Sequence, residues 1–378
     1  MITPRYYRPE LDVLRLTAFL GVFLTHRMDM APVDATQYYW GYHISLVGVF
    51  GVPVFFLLSA FLITELLTRE QELTGTIHPK AFYIRRMLRI WPLYFAVFFG
   101  LVLLTRLFPG IGRITPAAQV AFSLFSGNWY ICMNGWVPCY PANPLWSISA
   151  EEQFYILIPL IAAYGGRPVM KLVAFLFIGI AYLFLIYYGL HPTTGFSSEW
   201  TNSFVHFQFF SAGILLSLYL KGRQPRLPLV VRFFMALAAL GCWLVASIVC
   251  GIHADGPHLS NVFEAACGWL LILLGAVLLF LSLLGIAAKF LPRPLVYLGR
   301  ISYGLYMFHA LLFYLVYNTC KDEMTQLSKV LHLYEWRNTV SAAIALVFTI
   351  IIAMLSYHFF EQPFLRLKKR FTFVYSRD

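Results

Sequence analysis

Charge is what this sequence has least of. Only 12% of its 378 residues are Asp, Glu, Lys or Arg, against roughly 25% in a water-soluble globular chain. With 60% of residues hydrophobic, the deficit excludes a soluble protein and places the chain in a lipid bilayer. Acids are scarcer still than bases, 17 against 28, which leaves a net charge of +11. In a soluble protein that excess would point to nucleic acid. Here the basic residues follow membrane topology rather than a groove, and no nucleic-acid partner is expected. The sequence also lacks internal repeats, low-complexity tracts and the inverted-repeat signal that marks many secondary transporters. No Cys/His spacing resembles a metal site, so no metal is expected. The N-terminal apolar stretch has no small-residue cleavage pattern and is expected to remain as a signal-anchor.

What is abundant is apolar length. Runs of roughly 18 or more residues, enough to cross a bilayer, occur ten times. Their cores lie near 11–30, 43–68, 88–108, 144–164, 171–190, 202–220, 229–252, 261–288, 300–319 and 337–360. The expected fold is all-α: a polytopic membrane protein of about ten transmembrane helices, with 1–378 as one integral membrane domain. An even number of spans puts both termini on one side. Six of the 28 Lys and Arg residues (Arg27, Arg106, Arg113, Lys321, Lys329, Arg337) fall on the opposite side. The other 22 share the side of the termini, which the positive-inside rule assigns to the cytoplasmic face of the cell membrane. The connection between spans three and four, 109–144, then faces outward. It is long and rich in Gly, Pro, Trp and Tyr, and such loops tend to be functional or lid-like. Cys132 and Cys139 bracket CMNGWVPC within it. They can close a disulfide in an oxidising compartment, or pack as small hydrophobes.

Ionisable side chains at membrane depth mark function or a buried network, because each costs several kcal/mol unless it meets a partner or water. The first span, PELDVLRLTAFLGVFLTHRMDM, carries Asp12, Arg15 and His26. Arg15 and His26 are eleven residues apart, about three helical turns, so they share a face roughly 16 Å apart along the axis, with Asp12 near the same stripe. His26 is the leading general base, since imidazole titrates nearest neutrality. Glu151, in NPLWSISAEEQFYILIPL, is a candidate carboxylate to orient it. Glu151 and Glu152 point about 100° apart, so at most one faces a given cavity. Trp146 and Tyr155 read as interfacial aromatics. At the entry to span three stand Arg85, Arg86 and Arg89. Arg86 and Arg89 share a helix face and suit a phosphate ligand, though a topogenic cluster reads the same way. His309, in LGRISYGLYMFHALLFYL, is a second deep imidazole, with Tyr306 on its face and a helix-packing hydrogen bond as its expected role. Glu361 is expected to meet a basic neighbour or cap a loop.

Taken together, RPELDVLRLTAFLGVFLTH, GVPVFFLLSAFLITELL, FYIRRMLRIWPLYF, PLWSISAEEQFYIL, LGRISYGLYMFH and FFEQPF resemble, in order and over nearly the whole chain, the acyltransferase-3 family of integral membrane O-acyltransferases. Its most specific signatures match the Arg15…His26 pair of the first span and the Arg86-x-x-Arg89 pair that follows the second. The resemblance implies transfer of an acyl group, usually acetyl, from cytoplasmic acetyl-CoA or another acyl-CoA to a hydroxyl, often of a carbohydrate or glycolipid acceptor such as an exported polysaccharide or lipid-linked glycan. It also implies roles: His26 essential, as general base or transient acyl carrier; Arg15 supporting it; Arg86 and Arg89, with Arg85 beside them, on the CoA phosphates; Glu151 at the family's acidic position. Val13 and Ala60 replace frequent glycines, Pro53 replaces a frequent acid, and the esterase-like domain that some members append is not seen. The competing class is a proton-coupled transporter of a small anionic or sugar substrate, because Asp, Glu and His also build proton relays. That reading leaves Arg86 and Arg89 without a purpose.

Overall fold

In a computed structural model of the chain, the described residues are 6–30, 39–192, 196–254 and 261–374. Among them every regular element is helical. The first is α1 (Pro9–Met30), followed by the short α2 (Tyr39–Val47) and by α3 (Gly51–Thr74). Glycine sets how α1 and α3 meet: a Cβ on Gly51 would stand 2.3 Å from the Ala18 carbonyl oxygen, and one on Gly48 2.2 Å from that of Gly21. Small residues of this kind let backbones approach where no hydrophobic effect drives helices together.

Next comes α4 (Pro79–Leu107), opened by a proline whose missing N–H costs nothing at the first turn. The 109–144 connection is not an open lid. It forms α5 (Pro116–Ser123) and α6 (Gly127–Asn134) and folds back onto the bundle. Asn128 Nδ2 donates to Ser203 Oγ at 2.8 Å, and Gln153 Nε2 donates to Asn128 Oδ1 at 2.8 Å. Gly112, at φ 118°, lies where a Cβ would sit 2.1 Å from the Pro138 carbonyl oxygen, so only glycine fits. The two cysteines in this segment are free thiols. Cys132 Sγ faces the Ser198 carbonyl at 3.3 Å, and burial pushes the Cys139 thiol up to about 11. Of the two readings of CMNGWVPC, the structure shows the small hydrophobes.

The 45-residue α7 (Trp146–Leu190) is interrupted at Gly166, whose φ of 63° and ψ of −167° are not helical. Its halves match the two spans expected on either side of 165–170. It is followed by α8 (Ser203–Leu220), α9 (Leu229–Ile248) and α10 (Val262–Leu283). The helix α8 packs on both α3 and α7. A Cβ on Gly213 would lie 2.8 Å from that of Ala60, so a glycine on α8 accommodates the methyl where the family often has glycine on α3. The chain ends with α11 (Arg293–Arg300), α12 (Ser302–Tyr314), α13 (Lys321–Val330), α14 (Arg337–Leu355) and α15 (Gln362–Lys368). A π-helical turn at Ser356–Glu361 joins the last two.

Among the described residues, seven helices are long and apolar enough to cross a membrane. The difference from ten has physical causes. The helical run through α7 counts as one despite its break at Gly166. The helix α1 carries Glu10, Asp12 and Arg15, and α12 is only 13 residues long and holds a buried histidine.

Candidate active site

A cavity opens among α1, α3, α4, α7 and α12. One end is cationic. Arg15, Arg86, Arg89 and Lys368 line it, with Arg85 at its margin. Sequence spacing alone put Arg86 and Arg89 on one face of α4. The fold adds Arg15, from the first helix, to the same chamber. Arg86 is held over two aromatic rings, 5.5 Å from the centroid of Phe82 and 5.3 Å from that of Tyr155. Such stacking fixes a guanidinium without consuming its donors.

Arg85 differs from its neighbours. Its Nη2 donates to Glu70 Oε2 at 2.8 Å and its Nη1 to the Phe371 carbonyl at 2.7 Å. Glu70 is buried and also accepts from the His78 backbone N–H at 2.9 Å. Arg85 therefore ties α3, α4 and the segment after α15 together, with much of its donor capacity spent on that bracing.

Asp12 and Arg15 form a buried pair, Oδ1 to Nη1, of 2.6 Å. Tyr7 donates to the other Asp12 oxygen at 2.9 Å. Backbone approach fixes the pair's place: a Cβ on Gly299 would meet the Asp12 carbonyl oxygen at 1.8 Å, so α11 lies directly on this turn of α1. Asp12 thus sits behind Arg15 and holds the guanidinium toward the cavity.

The cavity walls beyond the arginines are apolar, including Leu58, Leu62, Phe55 and Ile148. Glu151 faces the cavity and accepts a short hydrogen bond from Tyr155, whose hydroxyl is also 2.5 Å from Ser59 Oγ. Glu152 turns away and accepts from Trp91 Nε1 at 2.9 Å, the divergence expected of adjacent helical residues. Trp146 and Tyr155 are buried in the protein, not placed in an interfacial belt.

At the far end stand two hydroxyls, Ser147 Oγ and Tyr306 Oη, 2.8 Å apart, both within reach of the Pro144 carbonyl. One ring further on are the imidazoles. The His309 ring centroid lies 5.3 Å from that of Tyr306 and 5.0 Å from that of His26. His26 does not meet Glu151, whose carboxylate is bound to Tyr155. Its Nδ1 is 2.6 Å from the Tyr140 hydroxyl. Tyr140 begins a 3-10 turn, Tyr140–Leu145, that enters α7. Asn143 staples the preceding segment, accepting from the Val137 N–H at 2.9 Å and donating to the Val137 carbonyl at 3.1 Å. Nothing in the one-dimensional pattern singled out Tyr140, since a loop residue has no periodicity to place it.

Of the remaining expectations, His309 bonds the Tyr306 carbonyl of its own helix instead of a neighbouring helix. Glu361 accepts from Ser356 Oγ at 3.2 Å and has Arg89 as its nearby cation.

The profile of the acyltransferase-3 family, an acyltransferase domain, matches residues 8–358. The chain belongs to that family. Two relatives are proteins of Staphylococcus aureus strain COL. One, provisionally named an O-acetyltransferase, is 28% identical over 382 residues, covering 95% of this chain and 57% of its own length. The other, O-acetyltransferase OatA, is 26% identical over 378 residues, covering 96% of this chain and 58% of its own. The chain therefore spans a little over half the length of these relatives. No solved structure matches it.

Proposed function

We propose that the protein is a multi-pass membrane O-acyltransferase. In this reading it moves an acyl group, acetyl by preference, from an acyl-CoA to a hydroxyl of a carbohydrate or glycolipid acceptor. The observation that carries the proposal is the polarity of the cavity: cationic at one end, largely apolar along its length, and hydroxyl-lined at the other, where Tyr306 leads through His309 to His26. That sequence of surfaces matches an acyl-CoA from its phosphates through its pantetheine arm to its thioester. Arg86, Arg89 and Arg15 receive the phosphates, with Asp12 holding Arg15 in place and Arg85 bracing the mouth. The arm is long enough to pass roughly half of a ~30 Å hydrocarbon core.

In this reading ten helices cross the cell membrane, the termini and the arginine end are cytoplasmic, and the acceptor reaches His26 from the other side. His26 acts as general base on the acceptor hydroxyl or as transient acyl carrier. For the base role its Nδ1–H donates to Tyr140 and Nε2 is the nitrogen that takes the proton. In this reading one of the Ser147 and Tyr306 hydroxyls turns from the Pro144 carbonyl to donate to the developing oxyanion. Glu151 keeps Tyr155, and through it Arg86, in position.

The test is release of CoA thiol from acetyl-CoA by the purified protein. His26→Ala is expected to abolish it with acetyl-CoA affinity unchanged. Tyr140→Phe is expected to slow it on the order of 100-fold, the loss typical of a disturbed general base. Turnover that survives in His26→Ala would remove His26 from the mechanism. A protein that moves a solute independently of acyl-CoA would be a transporter instead.

A further inference from the structure

The second imidazole is as well placed as the first. His309 is fully buried, and its Nδ1 is 2.6 Å from the Tyr306 carbonyl oxygen. A carbonyl only accepts, so Nδ1 carries the hydrogen and Nε2 is a bare lone pair. Nε2 is enclosed and has no hydrogen-bond partner among the described residues. Buried acceptors are costly to leave unmet, and each calls for a partner such as a water or a ligand group. The Nδ1 contact turns back to the helix of His309, so Nε2, across the ring, projects away from it. Around the ring stand His26 at 5.0 Å, Tyr306 at 5.3 Å and Phe19 at 5.9 Å between centroids. The His309 ring thus lies between His26 and Tyr306, and Tyr306 lines the hydroxyl end of the cavity.

Building on the acyltransferase reading, we infer that His309 selects acceptors with two adjacent hydroxyls. One hydroxyl reacts at His26, and its neighbour donates to His309 Nε2. The oxygens of a vicinal diol are about as far apart as hydrogen-bonded atoms, near 2.8 Å, which suits two neighbouring imidazoles with ring centroids 5.0 Å apart. The acceptor class is thus a 1,2-diol of a sugar ring and not an isolated alcohol. A site built to receive a substrate hydroxyl discriminates strongly against the analogue that lacks it, because its own polar group is left unpaired.

The experiment uses the full chain in detergent, acetyl-CoA as donor, and 1,2-cyclohexanediol and cyclohexanol as acceptor probes. The parent is expected to favour the diol at least tenfold in kcat/KM. His309→Asn keeps a donor for the Tyr306 carbonyl but withdraws the distal acceptor, so the preference should collapse to near unity with acetyl-CoA binding unchanged. His309→Gln reaches as far as Nε2 and should restore it in part. An undiminished preference in His309→Asn, or a parent that uses both probes equally, overturns the inference and leaves the acyltransferase intact. Loss of acetyl-CoA binding in His309→Asn overturns it in favour of a packing role. A parent that binds acetyl-CoA yet releases no thiol with the diol, cyclohexanol or water overturns the acyltransferase reading and this inference with it.

Discussion

A single carboxylate, Asp12, shows how a residue that looks catalytic in sequence acts at one remove. It is fully buried, paired to Arg15 at 2.6 Å and to Tyr7 at 2.9 Å. Removing one member of a buried pair leaves the other charge uncompensated, at about 3–5 kcal/mol. Asp12→Ala should therefore lower the thermal unfolding midpoint in detergent and weaken acetyl-CoA binding, because Arg15 loses what aims it. His26→Ala, which leaves the Asp12–Arg15 pair intact, should lower the midpoint less. Equal losses of stability in both variants would assign Asp12 no special part. The stripe of Asp12, Arg15 and His26 was legible in sequence because helical periodicity is enough to align them. Their division into an ion pair and an imidazole bound to Tyr140 was not, since it depends on Tyr140 and Gly299, which reach α1 from distant parts of the chain.

Elements are placed here by close backbone approach. The α1–α3 crossing rests on Gly48 and Gly51, with no space for a side chain at either. Overpacking a tight contact typically costs about 1–3 kcal/mol. Gly51→Val should exceed that range's lower end in thermal unfolding and should shift His26 relative to the cavity, lowering turnover as well as stability. A variant with parental unfolding would show that the two helices are not held by this contact. Apolar runs located the long helices, including both halves of α7, but not the division of 43–68 between α2 and α3 or the early start of α4. They gave no warning that the 109–144 connection folds into α5 and α6 and anchors through Asn128 and Gln153. Its length and its Gly, Pro and aromatic content read as a lid, whereas buried amide hydrogen bonds make it a fixed wall that presents Tyr140. Nor did the pattern at Cys132 and Cys139 decide between a disulfide and two free thiols, which required the path of the backbone between them.

At the scale of the whole molecule, the cavity joins residues from the beginning, middle and end of the chain: Arg15, Arg86, Tyr155, Tyr306 and Lys368. Sequence identified most of the polar members one at a time, because ionisable groups stand out against an apolar background. The continuity between them, from guanidinium to hydroxyl to imidazole, exists only in the packed bundle. That continuity makes an acyl-CoA site a stronger reading than a proton pathway, which has no use for three clustered guanidinium groups at its mouth. Calorimetric titration of the purified protein with acetyl-CoA tests it most directly, beside the Arg86→Ala/Arg89→Ala double variant. Binding in the parent that is lost or weakened on the order of 100-fold in the variant is the predicted result, about 2.7 kcal/mol of affinity. A folded parent that binds neither acetyl-CoA nor a longer acyl-CoA would contradict the account.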